Sequence, residues 1–218
     1  MNAAIVKIDR VSRSAGELAI LHDVSFELAA GEWVSLVGPS GSGKTSLLMV
    51  LGLLDAPDRG TVLVDGVDVA TLAPAARAQA RLARIGFVFQ TQNLLDHLST
   101  RDNIALPAWR RGRSRSAALR AADALLERFG LTARALTRAG ALSTGEAQRA
   151  AIARALVNRP AVVLADEPTG SLDSTAAAAV LELLAEVNAA GAALLVATHD
   201  PVVAARGRRL LMRDGQLE

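Results

Sequence analysis

Apolar residues in this chain gather in short runs separated by glycine, proline and charge. One run covers residues 33–37 and ends at Gly38, and residues 45–54 then carry the apolar density of a buried helix. That order predicts a strand, a glycine-rich loop and a helix. In residues 61–69, apolar positions flank Asp65-Gly66, a pair suited to a type I′ hairpin, in which both turn residues take positive φ. Asp214-Gly215, after the apolar stretch 210–212, predicts a second hairpin. Residues 85–89, 161–165 and 192–197 are further short β-type runs, the last following a helical pattern over 176–188. Strands alternating with helices predict an α/β core with a largely parallel sheet.

The middle of the chain has a different period. Leu119, Ala122, Leu126 and Phe129 recur at helical spacing with Gly130 as a C-terminal cap, predicting a helix over 116–129. Residues 145–158 are also helical in pattern and are stopped by Pro160. Because both helices fall between strand runs, residues 90–159 read as a helical insertion in a single domain of 218 residues, with 1–89 and 160–218 as its α/β core.

Composition narrows the classes. At 51% hydrophobic and 21% charged residues the chain is globular rather than a disordered polyelectrolyte. The absence of cysteine excludes disulfides and thiolate metal sites and favours a cytosolic or cytosol-facing location. Lys7, Asp9 and Arg10 break up the first apolar residues, so no signal-peptide stretch is read there. Glu182, Glu186 and Asn188 break up the most apolar region, so no membrane span is read either. A formal charge of +2 does not make nucleic acid the default partner. Lys7 and Lys44 are the only lysines, which singles out Lys44.

Gly38-Pro39-Ser40-Gly41-Ser42-Gly43-Lys44-Thr45 fits G-x-x-x-x-G-K-[ST] between a predicted strand and helix. Glycines let backbone N–H groups approach phosphates, and the helix N-terminus adds positive potential. Lys44 suits the β- and γ-phosphate charge and the Thr45 hydroxyl suits Mg²⁺; the bland alternative is an incidental glycine-rich turn. Residues 162–167 form an apolar run that delivers Asp166 and Glu167 at its C-terminal end, where open α/β sheets place ligands. Asp166 suits Mg²⁺ held through water, and Glu167 a base for attack on a γ-phosphate. Alone, such a strand end is also compatible with a structural cap.

Together with three further motifs, this order resembles the ABC-type ATPases, the nucleotide-binding subunits of ATP-binding cassette systems, nearly end to end. Leu142-Ser143-Thr144-Gly145-Glu146 is similar to the family's LSGGQ signature, Gln90 after Phe89 to its Q-loop glutamine, Ser171-Leu172-Asp173 to its D-loop, and His199 to its switch histidine. The resemblance implies a P-loop NTPase fold of α/β class, with a largely parallel core sheet, an antiparallel β-subdomain and an inserted α-helical subdomain. It implies ATP and Mg²⁺ as ligands. Gly38 to Thr45, with Ser46, Ser143, Gly145 and Asp173, would bind nucleotide; Thr45, Gln90 and Asp166 would manage Mg²⁺; Glu167, His199 and Gln90 would serve hydrolysis. It further implies a homodimer or heterodimer of ATPase subunits in which one subunit's signature closes over the other's phosphate loop. A transmembrane permease is the implied partner, at the cytoplasmic face of an inner or plasma membrane, and no nucleic acid is expected.

Residues 89–95, 101–107 and 166–173 are similar, more narrowly, to ATPases of the lipoprotein-releasing and macrolide-export group. Bland readings stay open for single residues: Gln90 as a polar strand end, His199 as a structural histidine, and Ser143 with Glu146 as an S-x-x-E capping box. Two other functions also stay open. A soluble ABC ATPase acting on nucleic acid or ribosomes commonly carries paired cassettes or long arms, and a P-loop kinase leaves Gln90, the signature and His199 without a task.

Three features depart from the family pattern. Thr144 replaces the signature's first glycine, which is unfavourable if that position needs positive φ or close phosphate approach. No tyrosine is present to stack on adenine; Arg13 either stacks its guanidinium there or stands solvated. Arg110-Arg111-Gly112-Arg113-Ser114-Arg115 is a basic cluster open to four readings: a solvated loop, anionic lipid, an acidic permease patch or, least supported without interleaved aromatics, nucleic acid.

Overall fold

The computed structural model describes residues 4–218, so residues 1–3 of the expected 1–89 stretch lie outside the described residues. β1 (Ala4–Ala15) and β2 (Leu18–Ala29) pair antiparallel and, with β4 (Arg59–Val64) and β5 (Val67–Asp68), form a four-stranded sheet ordered β2-β1-β4-β5. The hydrophobic pattern does not announce β1 or β2, and the reason is local. Register shifts lie between Ile8 and Val11, Arg10 and Asp23 take φ of 46° and 48°, and the apolar alternation slips by one residue there. The β4–β5 turn has Asp65 and Gly66 at φ 52° and 73°, as a type I′ hairpin requires.

The second sheet contains β3 (Trp33–Val37), β6 (Ile85–Val88), β7 (Val162–Asp166), β8 (Ala193–Thr198), β9 (Arg208–Arg213) and β10 (Gln216–Leu217), in the order β10-β9-β3-β8-β7-β6. Every pairing from β9 to β6 is parallel, and β10 returns antiparallel through the Asp214-Gly215 turn. β3, β7 and β8 are apolar on both faces because both are covered. Val34, Leu36, Val162, Leu164 and Leu195 pack with helix α1 (Lys44–Leu51) and the antiparallel sheet. Val163, Ala165, Leu194 and Val196 pack on the opposite side, towards the helices.

Helix α1 stops earlier than the pattern predicts, because Gly52 caps it and Leu53 turns at φ 56°. Helices α2 (Pro74–Arg84) and α3 (Thr100–Arg110) carry no clear sequence signal. Ala80 is the only buried residue of α2, and Pro107 inside α3 reads as a breaker. Between β6 and β7 the chain runs through α3, α4 (Arg115–Arg128), two single-turn helices (Thr132–Arg134 and Ala139–Ala141) and α5 (Thr144–Leu156). Helix α6 (Ser174–Ala189) and the one-turn α7 (Pro201–Ala204) complete the order.

One ion pair joins the β2–β3 turn to β9. Glu32 accepts the Ala29 N–H at 2.8 Å and the Arg208 Nε–H at 2.5 Å, while Arg208 Nη2 donates to the Glu27 carbonyl at 2.7 Å. The Arg208 guanidinium holds the Glu32 carboxyl below its ordinary value of 4.5. A depressed folded value stabilises the fold fully above the unfolded value, and that contribution is lost as pH falls through the folded one. Glu32→Gln is therefore expected to cost about 0.5–1 kcal/mol at neutral pH, about 1–4 °C in Tm. Melting both proteins at pH 7 and at about pH 3 checks this, the gap narrowing in acid.

Candidate active site

Parallel pairing of β3, β8, β7 and β6 brings four strand C-termini to one edge of the sheet, where such sheets bind ligands. Val37 lies beside Thr198, Asp166 beside Ala197, and Val88 beside Ala165. The phosphate loop, the Asp166-Glu167 pair, His199 and Gln90 thus leave neighbouring strands at nearly one level.

The loop that follows β3 closes on its own lysine. Lys44 is buried and its Nζ donates to the Gly38 and Pro39 carbonyls at 2.8 and 2.9 Å. Gly43 turns at φ 101°, and a Cβ there would come within 2.9 Å of Met212 and 3.1 Å of the Ile20 carbonyl. At Gly38 a Cβ would stand 2.1 Å from the Met212 carbonyl, so β9 clamps the loop from outside. The Ser42 hydroxyl is buried without a partner, and α1 begins with no side-chain cap, leaving its first N–H groups for an anion. Ser40, Gly41 and Thr45 are exposed, with Ser46 half-buried beside them. An unpartnered hydroxyl, free helix N–H groups and a buried cation fit a polyphosphate.

Thr45 Oγ1 donates to Asp166 Oδ2 at 2.8 Å. Burial pushes the Asp166 carboxyl up, the Thr45 bond pulls it back, and neighbouring Glu167 raises it further. Among the described residues no group of three or more histidines or carboxylates forms a metal cage. A hydroxyl beside one carboxylate is nevertheless the donor set that suits Mg²⁺ shared with phosphate oxygens.

Glu167 takes φ 44°, a conformation that costs a non-glycine residue about 1–3 kcal/mol. Its N–H donates to the Ala197 carbonyl at 2.9 Å, so β8 holds the turn. His199 meets it from β8, with Nδ1 2.8 Å from Glu167 Oε1 and the His199 backbone N–H donating to Oε2 at 3.4 Å. Gln90 is exposed two residues beyond β6. Arg154 of α5 ties its loop down, donating to the Gln92 and Asn93 carbonyls at 2.7 and 2.5 Å. Asn103 of α3 holds the continuation, accepting the Leu95 N–H at 2.8 Å and donating to the Leu95 carbonyl at 3.0 Å. Neither residue is singled out by the sequence, because each is one polar position within a helix.

Ser143 and Gly145 at the start of α5 and Asp173 at the start of α6 share no hydrogen bond with the phosphate loop, Asp166, Glu167 or His199 among the described residues. Ser143 caps α5 through a capping box: its Oγ accepts the Glu146 N–H at 3.3 Å, and Glu146 Oε2 accepts the Ser143 N–H at 2.9 Å. Asp173 caps α6 by accepting the Ala176 N–H at 2.9 Å. Thr144 is the first residue of α5 and has no positive φ, so the backbone condition under which threonine would be unfavourable there is not met. A Cβ on Gly145 would make only ordinary contact, 3.5 Å from Ala176, so nothing inside the chain requires glycine there.

One further expectation is corrected. Arg13 neither stacks nor stands solvated: its Nε and Nη2 donate to Asp55 at 2.8 and 3.0 Å and its Nη1 to Asp58 at 2.8 Å. These aspartates follow the C-terminal end of α1, a helix length away from the phosphate loop. The basic cluster spans the α3–α4 connection and is exposed throughout, as the solvated-loop reading expects, with Arg110 ending α3, Arg115 beginning α4, and Arg111 Nη1 donating to the Asn158 carbonyl at 3.3 Å.

A family model described as ABC transporter matches residues 21–170. The lipoprotein-releasing system ATP-binding protein LolD of Bordetella pertussis is 49% identical over 203 residues, 92% of this chain and 88% of that protein. The macrolide export ATP-binding/permease protein MacB of Chromobacterium violaceum is 43% identical over 222 residues, 100% of this chain and 34% of that longer protein. The dimeric structure of MJ0796, a bacterial ABC transporter cassette, matches with a TM-score of 0.91 at 37% identity, covering 98% of this chain and 96% of that one. A post-hydrolysis dimer of the same cassette, bound to ADP and Pi, gives 0.90 at 36% identity.

Replacing Lys44 by Ala removes the buried cation around which the loop curls. Titration with a fluorescent ATP analogue is expected to show affinity at least about tenfold weaker, while undiminished binding would take Lys44 out of the site.

Proposed function

The chain belongs to the ABC transporter family and is an ATP-binding, ATP-hydrolysing subunit; we propose that two such subunits close around ATP to drive a separate transmembrane permease. The permease is of the kind served by the lipoprotein-releasing and macrolide-export ATPases, and the ATPase partner is a second copy or a close relative. The observation that carries this reading is the split site. Ser143 and Asp173 make their hydrogen bonds within their own helix starts and none to the phosphate loop, and a Cβ on Gly145 would meet only ordinary contacts within its own chain. A nucleotide approaching from another subunit supplies that reason.

In this reading Lys44 and the N–H groups at the start of α1 bind the β- and γ-phosphates, with Ser42 and Ser46 beside them. Thr45, Asp166 and Gln90 hold Mg²⁺, which when bound offsets phosphate charge. Glu167 accepts a proton from the attacking water as its oxygen bonds the γ-phosphorus and the bond to the β–γ bridging oxygen breaks. His199 orients the Glu167 carboxylate and faces the γ-phosphate. Ser143 and the first N–H groups of α5 meet that phosphate across the dimer. Hydrolysis removes the group that bridges the subunits, so closure and release follow differential binding. Residues 90–159 act as the signature-bearing subdomain on a core of 1–89 and 160–218. Among the described residues no helix is long and apolar enough to cross a membrane. In this reading the permease holds the chain at the cytoplasmic face of the membrane.

Glu167→Gln with ATP is expected to retain a closed dimer and to co-purify a permease from detergent-solubilised native membranes, while Lys44→Ala does neither. Recovery of only soluble factors or RNA would end the membrane role. Thr144→Gly is expected to raise turnover of the assembled complex, because its remaining handicap is bulk near the phosphate. Unchanged or lower turnover counts against that.

A further inference from the structure

Position 146 carries a carboxylate where the family signature has a neutral glutamine, in the first turn of a helix read as facing a triphosphate. An uncompensated anion there would repel the ligand that the helix N-terminus attracts. It is compensated from outside the helix: Arg134 Nε donates to Glu146 Oε1 at 2.7 Å, while Oε2 takes the Ser143 N–H at 2.9 Å. With both oxygens engaged, the carboxylate has one orientation.

The arginine stands on a fixed base. Its N–H donates to the carbonyl of fully buried Leu131 at 2.8 Å, its carbonyl accepts the Thr137 N–H at 3.0 Å, and Thr137 in turn accepts the Thr100 N–H at 2.9 Å. An exposed ion pair contributes little on average, but one whose members are both held by backbone bonds avoids most of the entropic cost. The consequence reaches Ser143. Its Oγ accepts the Glu146 N–H, which leaves the hydroxyl proton to donate outward.

We propose that Arg134 is a positioning residue for the trans-acting signature: it neutralises Glu146 and, through it, fixes Ser143 and the first turn of α5 for a γ-phosphate bound by another subunit. The inference rests on the split-site reading above. The same guanidinium, with the Ser143 N–H, holds the Glu146 carboxyl down at about 2, so the side chain is an anion throughout the working range.

The test uses the full chain carrying Glu167→Gln, with ATP-driven dimerisation read by light scattering and ATP binding by the monomer read separately. Adding Arg134→Ala is expected to weaken dimerisation at least about fivefold while monomer affinity for ATP is unchanged, since the phosphate loop is untouched. Arg134→Lys restores part of the loss. Glu146→Gln in the Arg134→Ala background restores most of it, because the unbalanced charge is gone while the amide oxygen still accepts the Ser143 N–H. A purely structural arginine would not be rescued in this way. Equal dimerisation with and without Arg134, or a loss that Glu146→Gln leaves in place, overturns the proposal while the dimer reading stands. If the Glu167→Gln parent itself fails to dimerise with ATP, the dimer reading falls and the proposal with it.

Discussion

Parallel pairing of β3, β8, β7 and β6 is the constraint on which the rest of the molecule depends. Parallel strands cannot be joined by tight turns, so each connection must cross the sheet through a helix and return every C-terminus to the same edge. That edge collects the phosphate loop, the carboxylate pair, His199 and Gln90 from four separate stretches of sequence. Apolar packing on both faces fixes the strands to their register, because a slip of one residue would exchange the faces of Val163 and Leu164.

Within that frame, polar groups are placed by backbone as much as by one another. Lys44 is steadied by two loop carbonyls, Arg154 by two carbonyls of the Gln90 loop, and Glu167 by a turn that β8 enforces. Lys44 and Glu167 lie at the sheet edge where the site is, while Arg154 holds the loop that carries Gln90. The cost is local: a positive φ at Glu167 and a buried, unpartnered hydroxyl at Ser42.

Helix α5 connects the two halves of this chemistry. Its first turn carries Ser143 as cap with Thr144, Gly145 and Glu146, its later turns carry Arg154 to the Gln90 loop, and its buried alanines pack it among α3, α4 and the sheet. A helix held in this way relates what happens beside Gln90 to how Ser143 is presented, as the proposed two-subunit site requires.

Sequence alone settled what local chemistry dictates. Glycine spacing marked the phosphate loop, apolar runs ending in acidic residues marked β7 and its carboxylates, Asp-Gly pairs marked both hairpins, and S-x-x-E marked the cap of α5. It was blind where local period and tertiary placement disagree. Bulges hid β1 and β2, a proline hid α3, and a single buried alanine was too little to reveal α2. Only the folded chain decided that Arg13 serves Asp55 and Asp58, that Thr144 is helical, and that Arg134 meets a glutamate twelve residues away. Periodicity reports which face a residue presents, but the partner of a long charged side chain is chosen by elements that only packing brings together.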